Sequence, residues 1–402
     1  MSISDSVGLL RGGWKRPEVL LLLMAAAVPL SFATWQALLN NFAIERAAFT
    51  GAEIGILQSL REIPGFLAFT VVFALLVIKE QWLAYLALAT LAIGTALTGW
   101  FPSVLGLYCT TVVMSVGFHY YETLQTSLSL QWLDPDRTAE TLGRIIAAGS
   151  FMAIVTFGFI WLCFQLFELD FSWVYLIGGG FTLSIVLFAV LAFPHFPEKV
   201  RQRRHMVLRK RYWLYYVLIF LSGARRQIFI VFAGFLMVER FGFDVATISV
   251  LFLANAVLNV FFARRIGRLI GRWGERRALI LEYVGLAVIF TAYAFVQSPI
   301  VAAGLYILDH MFFALAIAIK TYFQKIADPA DIAATAGVGF TINHIAAVVI
   351  PAVFGLIWLV SPSIVFLCGT AIAITSLVFA FRVPENPAPG YETSGNRVTP
   401  LA

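Results

Sequence analysis

The side chains that could do chemistry in this 402-residue chain are charged groups set inside long apolar runs. Arg225 and Arg226 stand next to each other in one such run, while Glu122 and Asp309 stand in two others. A charge near the centre of a bilayer costs about 2.5 to 3.5 kcal/mol on insertion scales, so it normally faces a protein interior or a water-filled cavity. Guanidinium groups recognise carboxylate and phosphate through paired hydrogen bonds. The arginine pair therefore predicts a site for an organic or phosphorylated anion.

The two arginines cannot both point the same way. They lie about 13 residues, or roughly 20 Å at 1.5 Å per residue, from the predicted cytoplasmic end of their span, which places them near mid-membrane. Neighbouring residues on a helix differ in direction by about 100°. One guanidinium could therefore face a solute path while the other pairs with a neighbouring residue. An ion pair with Asp309 that only holds helices in register is the alternative to solute binding.

Three side chains are candidates for proton coupling: Glu122, His119 and Asp309. Glu122 and His119 share one face of their predicted helix, and a glutamate on a helix that lines a cavity can lose and regain its proton as water access changes. Asp309 and Lys320 fall on one stripe of the tenth helix, so Asp309 could carry a proton or take part in charge pairing and solute binding. Glu122 could instead balance a buried arginine, and the sequence leaves both interpretations open.

Further polar and aromatic residues complete the predicted solute site: Trp35, Gln36, Tyr121 and Gln227. Trp35 offers a stacking surface, and the two glutamines offer amide groups at equivalent positions of an internal repeat. A glutamine in a membrane helix also serves to hold helices together, which is the alternative role of both amides.

Another set of charged residues is predicted to be structural or to control gating. Arg61 and Glu62 are adjacent in the second apolar run and are predicted to form an ion pair, and Lys320 is assigned to the same class. His344 is predicted to be a hydrogen-bonded helix contact. The three cysteines lack metal-ligand spacing, so no metal site is predicted.

The elements that must position these residues are membrane helices. The chain is 60% hydrophobic and 12% charged, with a mean hydropathy of +0.88, which predicts an all-α integral membrane protein surrounded by the lipid bilayer. About 20 residues cross the roughly 30 Å hydrocarbon core as a helix. The apolar runs predict twelve transmembrane helices, at 19–41, 53–78, 81–101, 104–130, 142–167, 172–194, 212–238, 245–265, 278–297, 299–324, 335–360 and 362–382.

Basic residues concentrate in alternate loops of this arrangement. The segment 198–211 has seven Lys or Arg and the segment 263–277 has six, whereas the loops of opposite parity offer only Arg46 and Arg240. Positively charged loops stay on the cytoplasmic side, so we expect both termini and the central linker in the cytoplasm. The expected location is the bacterial cytoplasmic (inner) membrane.

An internal repeat relates the two halves of the chain. "LSFATWQ" from Leu30 recurs as "LSGARRQ" from Leu221, and "LDPDRTAETLG" from Leu133 is echoed by "ADPADIAATAG" from Ala327, at offsets of 191 to 194 residues. The repeat predicts two pseudo-symmetric six-helix bundles. Their predicted bounds are 1–194 for the N-terminal bundle, 195–211 for the basic linker, 212–382 for the C-terminal bundle and 383–402 for a cytoplasmic tail.

One loop motif carries a family resemblance. The segment 267–277, "GRLIGRWGERR", resembles the signature G-x-L-x-D-R-x-G-R-R that joins the second and third helices of a half in the major facilitator superfamily, although Gly271 replaces the usual aspartate. A basic turn that only sets the topology is the alternative reading. The matching residues are Gly267, Arg268, Gly271, Arg272, Gly274, Arg276 and Arg277.

The resemblance implies a secondary transporter that works by alternating access, in which the first, fourth, seventh and tenth helices line the solute path. With the arginine pair, it leads us to expect proton-coupled or exchange-type transport of a small anion by a monomer. A multidrug or small-molecule exporter working as a proton antiporter, a uniporter of neutral solutes, a non-transporting membrane sensor and an intramembrane enzyme are the alternatives. The chain has no Walker A loop, HExxH or CxxC, so we expect no enzyme activity, no cofactor and no nucleic-acid partner.

Overall fold

The computed structural model of the chain describes residues 13–133, 138–197, 208–328 and 332–394. Within these ranges the regular elements are helices, apart from one isolated bridge between Ala388 and Tyr391, and the predicted all-α class is confirmed. Ten helices among the described residues are long and apolar enough to cross a membrane. The count of twelve spans and the cytoplasmic location of the termini remain predictions.

The helices of the first half follow the predicted apolar runs, with one interruption. The second run is broken after Phe66 by a turn and a short 3₁₀ segment, Ala68–Thr70. The bounds are α1 (Pro17–Ala47), α2 (Gly51–Phe66), α3 (Val71–Ala74), α4 (Glu80–Thr98), α5 (Val104–Trp132), α6 (Thr138–Gln165) and α7 (Phe171–Ala192).

The helices of the second half contain two local changes of helix type. A π-helical turn spans Phe229–Ala233, and a 3₁₀ turn spans Ala314–Ala316. The bounds are α8 (Trp213–Ile228), α9 (Gly234–Glu239), α10 (Val245–Trp273), α11 (Glu275–Phe295), α12 (Pro299–Phe313), α13 (Ile317–Ile326), α14 (Ile332–Val360) and α15 (Pro362–Ala380).

The helices form two compact units. Among the described residues, unit 1 contains 13–47, 67–133 and 138–197, and unit 2 contains 48–66, 208–328 and 332–394. Helix α2 belongs to the same unit as the helices of the second half, and the predicted division of the chain at residues 194 and 212 stays a prediction. Most of the predicted linker, residues 198–207, lies outside the described residues.

Small residues explain why α2 belongs to unit 2. A Cβ atom on Gly55 would lie 2.2 Å from the carbonyl oxygen of Pro351, and one on Gly355 would lie 2.4 Å from the carbonyl oxygen of Gly51. The backbones of α2 and α14 are thus in direct contact over these positions. Close packing of this kind is a main source of helix association in a bilayer, where apolar burial gives little driving force.

Unit 1 is held by the same means and by hydrogen bonds between helices. A Cβ atom on Gly94 of α4 would lie 2.4 Å from the backbone nitrogen of Met114 in α5. Ser31 of α1 donates a hydrogen bond of 2.8 Å to the hydroxyl of Thr182 in α7, which itself donates to the carbonyl of Ala27 at 3.0 Å.

Each unit has a polar contact that corresponds to one in the other unit. In unit 1, Gln131 at the end of α5 donates a hydrogen bond of 2.6 Å to Glu80 at the start of α4. In unit 2, Lys325 at the end of α13 lies 2.7 Å from Glu275 at the start of α11. Both carboxylates are buried. The two pairs fall near the offset of the sequence repeat, so the repeat extends to a specific contact.

The beginning of the predicted tail is part of unit 2. Ser394 donates a backbone hydrogen bond of 2.8 Å to Arg382, and the hydroxyl of Tyr322 in α13 donates to the carbonyl of Glu392. Val383 is fully buried. The residues from 383 to 394 therefore fold against α13, and 395–402 lie outside the described residues.

Candidate functional site

The two adjacent arginines lie in the last turn of α8, immediately before the π-helical turn Phe229–Ala233. A π turn inserts one extra residue into the helix and is often found at functional sites. Helix α8, the π turn and α9 together form one apolar segment, Lys210–Glu239, that is long enough to span a membrane. The arginines are near its middle, as the sequence predicts.

Arg225 lies in the core of unit 2. Its side chain is 1% exposed, and its Nη2 is 3.4 Å from Oε1 of Glu282 on α11, which is fully buried. The guanidinium carbon lies 4.4 Å from the ring centroid of Tyr283, and Nε donates to the carbonyl of Leu221 at 3.3 Å. In this structure Arg225 holds α8 to α11, and its burial keeps it from direct contact with a solute.

Glu282 and Tyr283 were missed by the sequence reasoning. Glu282 is an acidic residue inside the apolar run 278–297, and the rule that singled out Asp309 applies to it equally. The predicted partner of Arg225 was Asp309, whereas the ion pair recorded within the described residues is with Glu282. Asp309 is also buried, at 4% exposure, and lies within electrostatic range of both Arg225 and Glu282.

Arg226 points away from this core and is exposed. Its guanidinium carbon lies 5.9 Å from the ring centroid of Phe313 at the end of α12, one turn after His310. A guanidinium over an aromatic face is stabilised by the ring quadrupole. Gln227, the next residue, is buried at 4% exposure. Of the two arginines, Arg226 is the one that the fold presents at a surface.

The predicted stripe that joined Asp309 to Lys320 is absent. The prediction assumed an unbroken α-helix, but the 3₁₀ turn Ala314–Ala316 separates α12 from α13. A 3₁₀ turn has 3.0 residues per turn instead of 3.6, so the residues beyond it are rotated. Asp309 is buried as a result of its position on α12, whereas Lys320 on α13 is exposed.

The polar residues of α5 divide between the interior and the surface. His119 and Tyr121 are buried, at 6% and 1% exposure, whereas the side chain of Glu122 is 52% exposed. Nδ1 of His119 lies 3.7 Å from Oε2 of Glu122, one turn away on the same face. A neighbouring pair of this kind can share or pass a proton, and the roles of His119 and Glu122 in coupling stay predictions.

The aromatic candidate on α1 is buried. Trp35 is fully buried and lies 6.2 Å from the ring of Phe32, so its face is not presented to a solute in this structure. Gln36, the next residue, is partly exposed. The sequence alone could not show which of the two side chains is buried, because they are adjacent residues of one apolar helix.

Arg61 and Glu62 form a buried ion pair on α2. Oε2 of Glu62 also lies 3.7 Å from Nε2 of His344 on α14, whose Nδ1 contacts the carbonyl of Phe340 at 2.9 Å. These contacts join α2 to α14 near the glycine packing described above. They fit a structural role, and the gating role of the pair stays a prediction.

The signature segment is mostly helical and only briefly a loop. Helix α10 continues to Trp273, so Gly267, Arg268, Gly271 and Arg272 lie in its last turns, and Gly274 alone separates it from α11. Gly274 has φ of +81°, a conformation that favours glycine.

The basic residues of the signature lie at the surface. Arg268 and Arg272, with Arg265, line a shallow cavity at the end of α10, and Arg277 is exposed. Arg276 lies 4.0 Å from Glu385 of the tail segment.

Solved structures with the same fold are transporters. The crystal structure of a mutant of the nucleoside transporter NupG has a TM-score of 0.76 at 17% identity, over 90% of this chain and 99% of that one. A bacterial homolog of the human lysosomal transporter Spinster has a TM-score of 0.71 at 14% identity, over 90% and 95%. A POT family transporter in complex with 5-aminolevulinic acid has a TM-score of 0.71 at 12% identity, over 90% and 94%. No curated protein sequence matches the chain.

The family model of the Major Facilitator Superfamily matches residues 19–351, which is most of the chain. This match agrees with the helical architecture, with the repeat and with the segment 267–277 on which the resemblance was based. The chain therefore belongs to the major facilitator superfamily, and it is an integral membrane protein of the transporter type.

Proposed function

We propose that the protein is a secondary active transporter that moves a small organic or phosphorylated anion by alternating access, with Arg226 as the residue that binds the anion. Transport is coupled to protons or proceeds by exchange. The proposal narrows the family assignment, which is to a transporter without a stated solute.

The exposure of Arg226 in the middle of a membrane-spanning segment is the observation that carries the proposal. A charged group at that depth is costly unless water or a negative group meets it. Its neighbour Arg225 satisfies this requirement inside the protein through Glu282. Arg226 is directed to a surface, beside Phe313, where a carboxylate or phosphate can approach the planar guanidinium.

The remaining predicted residues take supporting roles in this proposal. Gln36 is partly exposed and could contact solute directly. Trp35, Tyr121 and Gln227 are buried, so they would act by shaping the helices that carry the site. Glu122, with His119 beside it, is the proposed proton carrier of unit 1.

We also infer the membrane arrangement from the sequence pattern. The protein has twelve transmembrane helices, with both termini in the cytoplasm. It is located in the bacterial inner membrane and acts as a monomer. The alternation of basic and non-basic loops supports this orientation.

The experiment is a stabilisation screen followed by transport. Purified protein is heated with succinate or phosphoenolpyruvate as anionic probes, uridine as a neutral probe and tetraphenylphosphonium as a cationic probe. Anionic probes should raise the unfolding temperature, and Arg226→Gln should reduce their apparent affinity about tenfold or more, the effect of losing a charge-assisted pair worth about 1.4 kcal/mol or more. Arg226→Lys should retain part of the affinity.

The matched control is Arg240→Gln, because Arg240 is an exposed arginine at the end of α9. It should leave both stabilisation and proteoliposome uptake of the anion unchanged. Stabilisation by the neutral or cationic probe alone would contradict an anionic solute. Equal affinities of wild type and Arg226→Gln would remove Arg226 from the site.

A further inference from the structure

Three ionisable side chains are buried inside unit 2, on three different helices. Arg225 of α8 and Glu282 of α11 form an ion pair, and Asp309 of α12 is buried within electrostatic range of both. Their exposed fractions are 1%, 0% and 4%. If all three were ionised, two negative charges would face one positive charge in a dry interior.

The ion pair leaves hydrogen-bonding capacity unused. The distance of 3.4 Å between Arg225 and Glu282 is longer than the roughly 2.7 to 2.9 Å usual for a charge-assisted hydrogen bond. No described residue hydrogen-bonds to Nη1 of Arg225, Oε2 of Glu282 or the hydroxyl of Tyr283, although all three atoms are buried. Buried polar atoms normally have partners. The cluster therefore has buried donors and acceptors that the Arg225–Glu282 contact leaves unused.

The surrounding helices offer no second cation to the cluster within the described residues. On α8 the other charge is Arg226, which is exposed, and on α12 the nearest titratable groups are Tyr306 and His310. Helix α11 adds Tyr283 and Tyr293. Its two arginines lie in its first turn, where Arg276 is 4.0 Å from Glu385 and Arg277 is exposed.

More distant packing helices are equally poor in compensating charge. Cys368 is the one titratable residue of α15. His344 of α14 lies against Glu62, Lys320 of α13 is exposed, and Lys325 is paired with Glu275. Helix α10 carries exposed arginines at its far end.

We infer that Glu282 and Asp309 together hold one exchangeable proton opposite Arg225, and that this proton is taken up and released during the transport cycle. One proton makes the cluster electrically neutral, which is the state that a dry interior favours. Glu282 is thereby assigned as a proton-binding residue. Only the uptake and release of the proton during transport rests on the proposed function. The presence of the proton is a property of the folded protein and does not depend on transport.

Adjacency to Arg226 provides a route for coupling. Arg225 and Arg226 are consecutive residues at the start of the π turn, so a change in how Arg225 pairs is transmitted directly to the backbone that carries Arg226. Anion binding at Arg226 and proton binding at the buried carboxyls would then influence each other, and such coupling is necessarily reciprocal.

The proton can be counted by infrared spectroscopy of the protein reconstituted in lipid at neutral pH. A protonated carboxyl has a C=O stretching band that ionised carboxylates lack. Wild type should show one such band. Glu282→Gln and Asp309→Asn should each abolish it, because one remaining carboxylate is balanced by Arg225. Arg225→Gln should roughly double it, and Glu385→Gln, which alters an exposed carboxylate, should leave it unchanged.

The same samples separate this inference from the proposed function. A band that is missing in wild type, or that survives both single carboxyl substitutions, would overturn the inference even if Arg225→Gln fails to fold. A pH-sensitive dye inside proteoliposomes should report proton movement when succinate is added, and Glu282→Gln should stop this movement while sparing succinate exchange. If wild type moves no succinate, the proposed anion transport is contradicted. The infrared band still tests whether Glu282 and Asp309 hold a proton.

Discussion

Arg225 and Arg226 have opposite surroundings because one residue of helix turns a side chain by about 100°. Arg225 faces Glu282 and Tyr283 inside unit 2, and Arg226 faces outward beside Phe313. The sequence predicted that the two would differ. It could not tell which one faced inward, because that depends on where α11 packs.

Removing one partner of the Arg225–Glu282 pair should lower the free energy of unfolding strongly, whereas replacing both partners by apolar residues should lower it little. Arg225→Met leaves a fully buried carboxylate without its cation, and removing one partner of a buried pair typically costs about 3 to 5 kcal/mol. The double variant Arg225→Met, Glu282→Met removes both charges and should recover most of that stability. Unfolding in mixed micelles measures both free energies. A double variant as unstable as the single one would contradict this account of the pair.

Asp170 lies outside the membrane-spanning segments, and its contribution to the stability of the fold should depend on pH. It caps α7, and the Ser172 backbone N–H, which donates at 3.0 Å, holds the pKa of the Asp170 carboxyl below its ordinary value of 3.8, with help from Arg46 at 2.6 Å. A carboxyl whose pKa is lower in the folded protein stabilises the fold at pH values above its ordinary pKa. This contribution is lost as the pH falls through the lowered pKa.

Asp170→Asn should therefore be less stable than wild type at neutral pH, by at most about 1 kcal/mol because the pair is half exposed. The difference should shrink below pH 3.8 as Asp170 becomes protonated. Asparagine can still cap the helix, so the comparison isolates the charge. Glu168→Gln, at an exposed neighbouring carboxylate, is the control. A difference that grows on acidification would refute the assignment.

At the scale of helices, glycine packing decides which unit α2 joins. Gly55→Leu would place side-chain atoms where the carbonyl of Pro351 lies, since even a Cβ atom would be 2.2 Å from that oxygen. We expect Gly55→Leu to lower the free energy of unfolding by about 1 to 3 kcal/mol or more, since overpacking usually costs that much. Gly304→Leu on α12 is the matched control, because a Cβ atom there meets nothing within 4 Å. Unfolding temperatures in detergent measure both, and equal values would show that the α2–α14 contact is not tight.

Most helix positions could be predicted from apolar runs, but their interruptions could not. The π turn Phe229–Ala233 and the 3₁₀ turn Ala314–Ala316 contain no proline or glycine, so nothing in the local sequence marks them. The second of these turns removed the predicted stripe from Asp309 to Lys320. Changes of helix type depend on packing against neighbouring helices, which a single-helix periodicity does not include.

At the scale of the whole molecule, the repeat is visible as equivalent contacts. Glu80 with Gln131 in unit 1 corresponds to Glu275 with Lys325 in unit 2, each joining the start of one apolar span to the end of the next. The amide–carboxyl hydrogen bond in unit 1 and the ion pair in unit 2 join equivalent positions. The sequence showed the repeat, yet it did not identify these contacts, because the pairs are far apart along the chain. Membership of the superfamily explains the architecture and leaves the solute to be determined.

The account depends on Arg226 lying at a water-filled surface within the span, and cysteine accessibility tests this most directly. Arg226→Cys is made in a background whose three native cysteines are replaced by alanine, and it is treated with a membrane-impermeant, negatively charged thiol reagent. Ala224→Cys is the buried control, and Val288→Cys, on an exposed apolar face of α11, is the control for lipid contact. We predict rapid labelling at 226, slowed by a bound anion, with little labelling at 224 or 288. Labelling at 226 by an apolar maleimide but not by the charged reagent would place Arg226 against lipid and contradict the proposed anion site.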